Sequence, residues 1–180
     1  MIGKLALRLV VGGVFVAHGL QKLSGSFGGG GLAGTEKAMA ATRMHPPKAN
    51  ALLVAGTETL GGAAIALGVA TPIAAGGLIA TMLTAIRKVH GRNGFFSGKG
   101  GYEFNLTLIA ALVALVADGP GPVSVDAVVG KRRWGSWAAL LALGGAAVAS
   151  TLAIDLGAAV ADAADADAPG RMTASASAAD

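Results

Sequence analysis

The sequence predicts an all-α fold, a polytopic membrane four-helix bundle with a fifth transmembrane helix at its C-terminal end. Three observations carry this. Apolar residues make up 53% of the chain and fall in long unbroken blocks, not in the alternation of half-buried strands. Charged residues reach only 13%, about half of what soluble domains carry. The Lys and Arg residues gather between the apolar blocks, as they do in the loops flanking membrane spans.

A hydrocarbon layer about 30 Å thick takes roughly 20 apolar residues of helix to cross. The first span covers 2–23 and is interrupted by Arg8 and His18. No small-x-small cleavage site follows its apolar run, so a membrane span is favoured over a signal peptide. The second, 48–70, starts behind Pro46-Pro47, with Pro47 in a first helical turn that tolerates its missing N–H. It holds one charge, Glu58. The third, 72–89, ends in Arg87, Lys88 and His90, and the short link before it demands a tight antiparallel hairpin. The fourth, 102–117, is stopped by Asp118-Gly119-Pro120-Gly121-Pro122. The fifth, 137–156, follows Lys131-Arg132-Arg133-Trp134, which reads as an interfacial anchor.

This gives a four-helix core at 1–128, a basic linker with the fifth helix at 129–156, and a disordered Ala/Asp/Ser-rich tail at 157–180. The fifth helix is expected to be dispensable for the core. Gly25–Gly34 lacks the Gly-Lys-Ser/Thr ending of a phosphate loop and reads as flexible loop. Thr35–Met44 reads as a short interfacial helix capped by Thr35.

Polar residues concentrate at one membrane face, here called side B, which the first span reaches at its C-terminal end. His18 and Lys22, then Lys88 and His90, then Tyr102 and Glu103 all fall there. Glu58 lies roughly 10–15 helical rises in from that side, at about 1.5 Å each. A carboxylate inside a span costs about 2.5 kcal/mol or more to insert, so it must face the bundle and find a partner. Arg8 is the leading partner, with His18 and Lys88 behind it. A structural ion pair and a role as proton carrier or ligand anchor both fit Glu58 at this point.

No metal site is expected: two His and two carboxylates are available, but no Glu-x-x-His or His-x-x-x-His spacing fixes them as ligands. The absence of cysteine excludes thiol–disulfide chemistry and a cysteine-ligated cluster. The net charge of +4 does not point to nucleic acid, because the cations are spread over the span flanks rather than gathered in one patch.

Several motifs occur in order. Arg8-Leu9-x-x-Gly12 is followed by Phe15 and His18-Gly19-x-x-Lys22-Leu23; then come Glu58-x-x-Gly61-Gly62 with Leu67-Gly68, Gly100-Gly101-Tyr102-Glu103, and Gly119-Pro120-Gly121 with Ser124-x-Asp126. Over about residues 3–128 this series resembles the DoxX family of small four-helix integral membrane proteins. The resemblance implies a membrane component of a redox or oxidative/sulfur-stress system, one relative being a membrane subunit of a thiosulfate:quinone oxidoreductase. An actinobacterial relative is associated with superoxide dismutase and a sulfurtransferase. By position, Arg8, His18, Lys22, Glu58, Tyr102 and Glu103 are the motif residues.

The expected role is quinone handling, in an apolar slot with polar groups at one end, or docking of soluble redox partners, in a non-catalytic or accessory subunit of a membrane oxidoreductase. The expected partners are the lipid bilayer and soluble redox enzymes, and a homo-oligomer is allowed. Transport of a small solute or proton, and a non-catalytic scaffold, stand as alternatives. The cationic loops favour side B in the cytoplasm of a multi-pass plasma-membrane protein, with the N-terminus outside.

Overall fold

The computed structural model describes residues 2–167, and these residues are mostly helical, with no strand among them. The helices are α1 (Ile2–Ser24), α2 (Gly31–Ala41), α3 (Pro47–Leu67), α4 (Thr71–Ala85), α5 (Glu103–Asp118), the single turn α6 (Val125–Val128) and α7 (Gly135–Ala166). α4 continues through a π-helical turn, Ile86–His90, and a 3-10 turn, Gly91–Asn93.

Among the described residues, four helical stretches are long and apolar enough to cross a membrane: Ile2–Ser24, Pro47–Leu67, Thr71–Asn93 and Gly135–Ala166. This is a multi-pass membrane protein. The fourth expected span, now α5, has 16 residues and falls short of that length, because Gly119-Pro120 stops it. It contributes to the centre of the bundle. Leu108, Ile109, Leu112, Leu115 and Val116 of α5 pack with Phe15, Ile65, Leu78 and Ile79 in one buried cluster. Leu60, Ile73 and Leu141 are at least 74% exposed, on surfaces whose solvent is lipid.

Lipid tails are as apolar as leucine, so helix association in a membrane depends on close packing rather than on escape from water. The α1–α3 contact is built that way. A Cβ at Gly12 would meet the carbonyl oxygen of Gly62 at 2.5 Å, and one at Gly62 would meet Phe15 Cβ at 2.8 Å. Only glycine admits this approach. It sets the antiparallel register of α1 against α3, and therefore decides which polar groups face each other.

Two expectations are corrected. The helix expected at Thr35–Met44 starts earlier, at Gly31, and Thr35 is not its cap. Thr35 Oγ1 donates to the carbonyls of Gly31 and Lys22, at 2.9 and 3.1 Å, which fastens α2 to α1. The C-terminal helix does not end at Leu156 but runs to Ala166, where Asp162 and Asp165 pair with Arg43. The rest of the expected tail, 168–180, lies outside the described residues. α7 packs along α4 and α5, with Ala139 and Ala146 in the central cluster and Ser150 Oγ 2.9 Å from Thr84 Oγ1.

Candidate functional site

The α3–α4 hairpin turns within Gly68–Ala70, leaving the first N–H groups of α4 without helical acceptors. Asp126 of α6 supplies them. Its carboxylate accepts from Ala70 N–H (2.8 Å), Thr71 N–H (3.0 Å), Thr71 Oγ1 (2.7 Å) and Trp134 Nε1 (3.3 Å). Burial pushes this carboxyl up, but the hydrogen bonds from Thr71, Ala70 and Trp134 together hold it below the ordinary carboxylate range. A negative charge at a helix N-terminus is also favourable.

Arg8 does the converse at the end of α3. Its guanidinium donates to the carbonyl of Ala66 from Nη2 (3.1 Å) and Nε (3.3 Å), and to that of Pro120 from Nη1 (2.7 Å). The far side, side A, is thus closed by a polar knot.

Arg8 is consequently not the partner of Glu58. Lys22 is, with Nζ 2.5 Å from Glu58 Oε2. The reason is the glycine register: Gly12 lies at the level of Gly62 and Ala66, and Gly19 at that of Thr59. One helical turn on from Gly19, Lys22 reaches Glu58, while Arg8 is carried to the other end of α3.

The Lys22–Glu58 pair forms part of the wall of a cavity of about 960 Å³ on side B. α1 contributes Phe15, His18 and Lys22; α3 contributes Leu53, Thr57 and Glu58. α4 and its continuation contribute Thr81, Met82, Thr84, Lys88 and His90, and α5 contributes Phe104, Asn105 and Leu108. α2 contributes Thr35, Ala38 and Met39, and α7 contributes Ala149, Ser150 and Ala153. Asn105 is buried and donates to Met82 Sδ at 3.3 Å. The His18 and Phe104 rings stand 6.2 Å apart across α1 and α5.

Of the residues singled out in the sequence, His18, Lys22, Glu58, Lys88 and His90 share this cavity. His90 Nδ1 lies 2.8 Å from the Gly100 carbonyl, joining the end of α4 to the loop before α5. Glu103 and Tyr102 serve that loop instead. Glu103 Oε1 accepts from Ser97 N–H at 2.8 Å, and the Tyr102 ring packs edge-on against Phe95 at 5.6 Å. Arg8 lies outside the cavity, on side A. Thr84 and Asn105, which the sequence places on side-B polar faces, also line the cavity, whereas Ser150 was missed because it is an uncharged residue in an apolar helix. Asp126 was seen only as a motif position; its place after a turn-rich stop was the available signal.

Chemically, the cavity offers ammonium donors at Lys22 and Lys88, imidazole at His18, and one buried carboxylate at Glu58, on otherwise mostly apolar walls. Residues 3–91 of the chain match the family model DoxX. That match spans α1 to α4, including Arg8, Lys22 and Glu58, and stops short of Tyr102, Glu103 and Asp126. No curated protein and no solved structure matches the chain.

Proposed function

The chain is a member of the DoxX family through residues 3–91, and on that premise we propose that it binds a quinone in the side-B cavity as a membrane component of a redox or oxidative-stress system. The observation that carries the reading is the Lys22–Glu58 pair, 2.5 Å apart, set in the wall of a largely apolar cavity of about 960 Å³ inside a membrane bundle. Small-molecule sites combine this volume with a few convergent polar groups. The donor set fits a quinone head group, whose carbonyl oxygens take hydrogen bonds from ammonium and imidazole N–H.

When bound, the quinone supplies the two-electron, two-proton chemistry that a chain without cysteine does not. The protein's part is positioning and proton handling. Lys22 and Lys88 present N–H donors to the cavity, and His18 adds an imidazole to its lining. Glu58, only 2% exposed, is the one carboxylate among the described residues that lines the cavity, and it exchanges a proton at Oε2 with Lys22. Phe15, Phe104 and Leu108 supply apolar walls that keep water from the head group.

Purification of the full chain in mild detergent, followed by solvent extraction and mass spectrometry, tests this. A quinone is expected at about one per chain in the wild type and is expected to be lost from Glu58→Gln. Equal quinone content in both preparations, or none in either, sinks the reading.

A further inference from the structure

A second cleft lies at the opposite, side-A end. It has a volume of about 490 Å³ and is lined by Lys4, Asp118, Gly121, Pro122, Arg132 and Arg133. Backbone contacts hold its cations in place. Lys4 Nζ donates to the Asp118 carbonyl at 2.5 Å. Gly119 has φ 82°, and a Cβ there would meet Arg133 Cα at 3.0 Å, so the turn that ends α5 lies directly against the two arginines.

Among the described residues neither Arg132 nor Arg133 has an ion pair, and both are exposed. Their neighbour Lys131 is placed differently, over the Trp134 ring at 5.7 Å. Asp126, the other acid nearby, is buried and already accepts from Ala70, Thr71 and Trp134. Three cations therefore face a single carboxylate, Asp118. That composition attracts a phosphate, and arginine's planar fork matches phosphate oxygens two at a time.

The surroundings distinguish a lipid phosphate from a free one. The segment joining α5 to α7 exposes Val123, Val125, Val128 and Val129, by 56, 44, 85 and 67%, and Trp137 at the start of α7 is 79% exposed. Free phosphate gains nothing from such a surface, whereas acyl chains do. Interfacial tryptophan beside basic residues also marks the headgroup level of a bilayer. We propose that this cleft binds the phosphate of an anionic phospholipid, with its acyl chains against the exposed valines and Trp137. Asp118 favours a singly charged phosphodiester over the more highly charged free phosphate.

The test is native mass spectrometry of the detergent-purified full chain titrated with phosphatidylglycerol, with phosphatidylcholine of the same acyl chains, and with sodium phosphate against sodium chloride of equal ionic strength. Wild type is expected to retain phosphatidylglycerol over phosphatidylcholine. The Arg132→Gln/Arg133→Gln variant is expected to lose that retention by about thirtyfold, as two interfacial cations warrant. The side-B control Arg92→Gln/Lys99→Gln is expected to retain it, with melting temperatures of all three proteins checking the fold. Equal retention of the two lipids, or equal phosphatidylglycerol retention in wild type and the arginine variant, overturns the proposal. Displacement of the lipid by sodium phosphate but not by the chloride control also overturns it and assigns the cleft to free phosphate.

Discussion

Lys22 and Glu58 form an ion pair of unequal depth: the carboxylate is 3% exposed in its side chain and the ammonium 29%, at 2.5 Å. The acid belongs to the bundle interior, and the base reaches from it toward the cavity. Removing the acid therefore strands a cation that is itself only partly buried.

Glu58→Ala is expected to lower stability by about 2 kcal/mol, below the 3–5 kcal/mol typical when a fully buried pair is broken, because Lys22 is only partly buried. Glu58→Gln, which keeps a hydrogen-bond acceptor for Lys22, is expected to cost about 1 kcal/mol. Thermal melts in detergent measure both. Under the proposed function the two variants lose quinone equally, so a ligand loss that followed the melting temperatures would point to a packing residue.

Asp126 supports a pH prediction. Its carboxyl titrates below the ordinary range in the folded chain, chiefly through its hydrogen bonds to Thr71 and Ala70 against the opposing effect of burial. A lowered folded-state value means that the stabilisation is complete above the unfolded value of about 3.9 and is lost as pH falls through the folded value. Melting temperature is expected to hold between pH 7 and 5 and to drop below about 4. Asp126→Asn removes the charge and most of the acceptor capacity at the α4 N-terminus. It is expected to cost about 2–3 kcal/mol at neutral pH and to flatten the acid limb. An unchanged acid limb in Asp126→Asn would assign it to other carboxylates.

α7 supplies Ala149, Ser150 and Ala153 to the side-B cavity, yet its buried residues are all small: Ala139, Ala146, Ser150, Gly157 and Ala161. Truncation after Trp134 keeps the Trp134–Asp126 hydrogen bond. The shortened chain is expected to insert, to melt at lower temperature and to lose the cavity ligand. Failure to recover it from the membrane fraction would mean that residues 1–128 are not an independent unit.

Orientation is testable at Ser97, an exposed position in the side-B loop. The chain contains no cysteine, so Ser97→Cys carries the only thiol. With side B in the cytoplasm, a membrane-impermeant maleimide is expected to label it only after cells are lysed. Rapid labelling of intact cells reverses the orientation.

Much of the fold was legible because hydropathy blocks, Pro47 and the Gly119-Pro120 stop act locally. The requirement that Glu58 find a cation was legible too, since burial of a lone carboxylate is costly wherever it occurs. Which cation was not, because Arg8 and Lys22 lie on the same helix and only the α1–α3 register separates them. That register rests on Gly12 and Gly62, whose information is the absence of a side chain. The share of α7 in the cavity was hidden for a related reason: alanine and serine carry little signal in a sequence, though they let helices approach closely.

Arg43 follows α2, which lines the cavity through Thr35, Ala38 and Met39, and pairs with Asp162 and Asp165 near the end of α7. Beside it, the Met44 Cα would lie 3.2 Å from a Cβ at Gly157. The two ion pairs join positions 119 and 122 residues apart in the chain. α2 also packs against α1 and α3, and Thr35 Oγ1 donates to the Lys22 carbonyl at 3.1 Å. The α2 wall of the cavity is therefore tied to α7 by contacts of high sequence separation, whose loop-closure entropy must be met before they form.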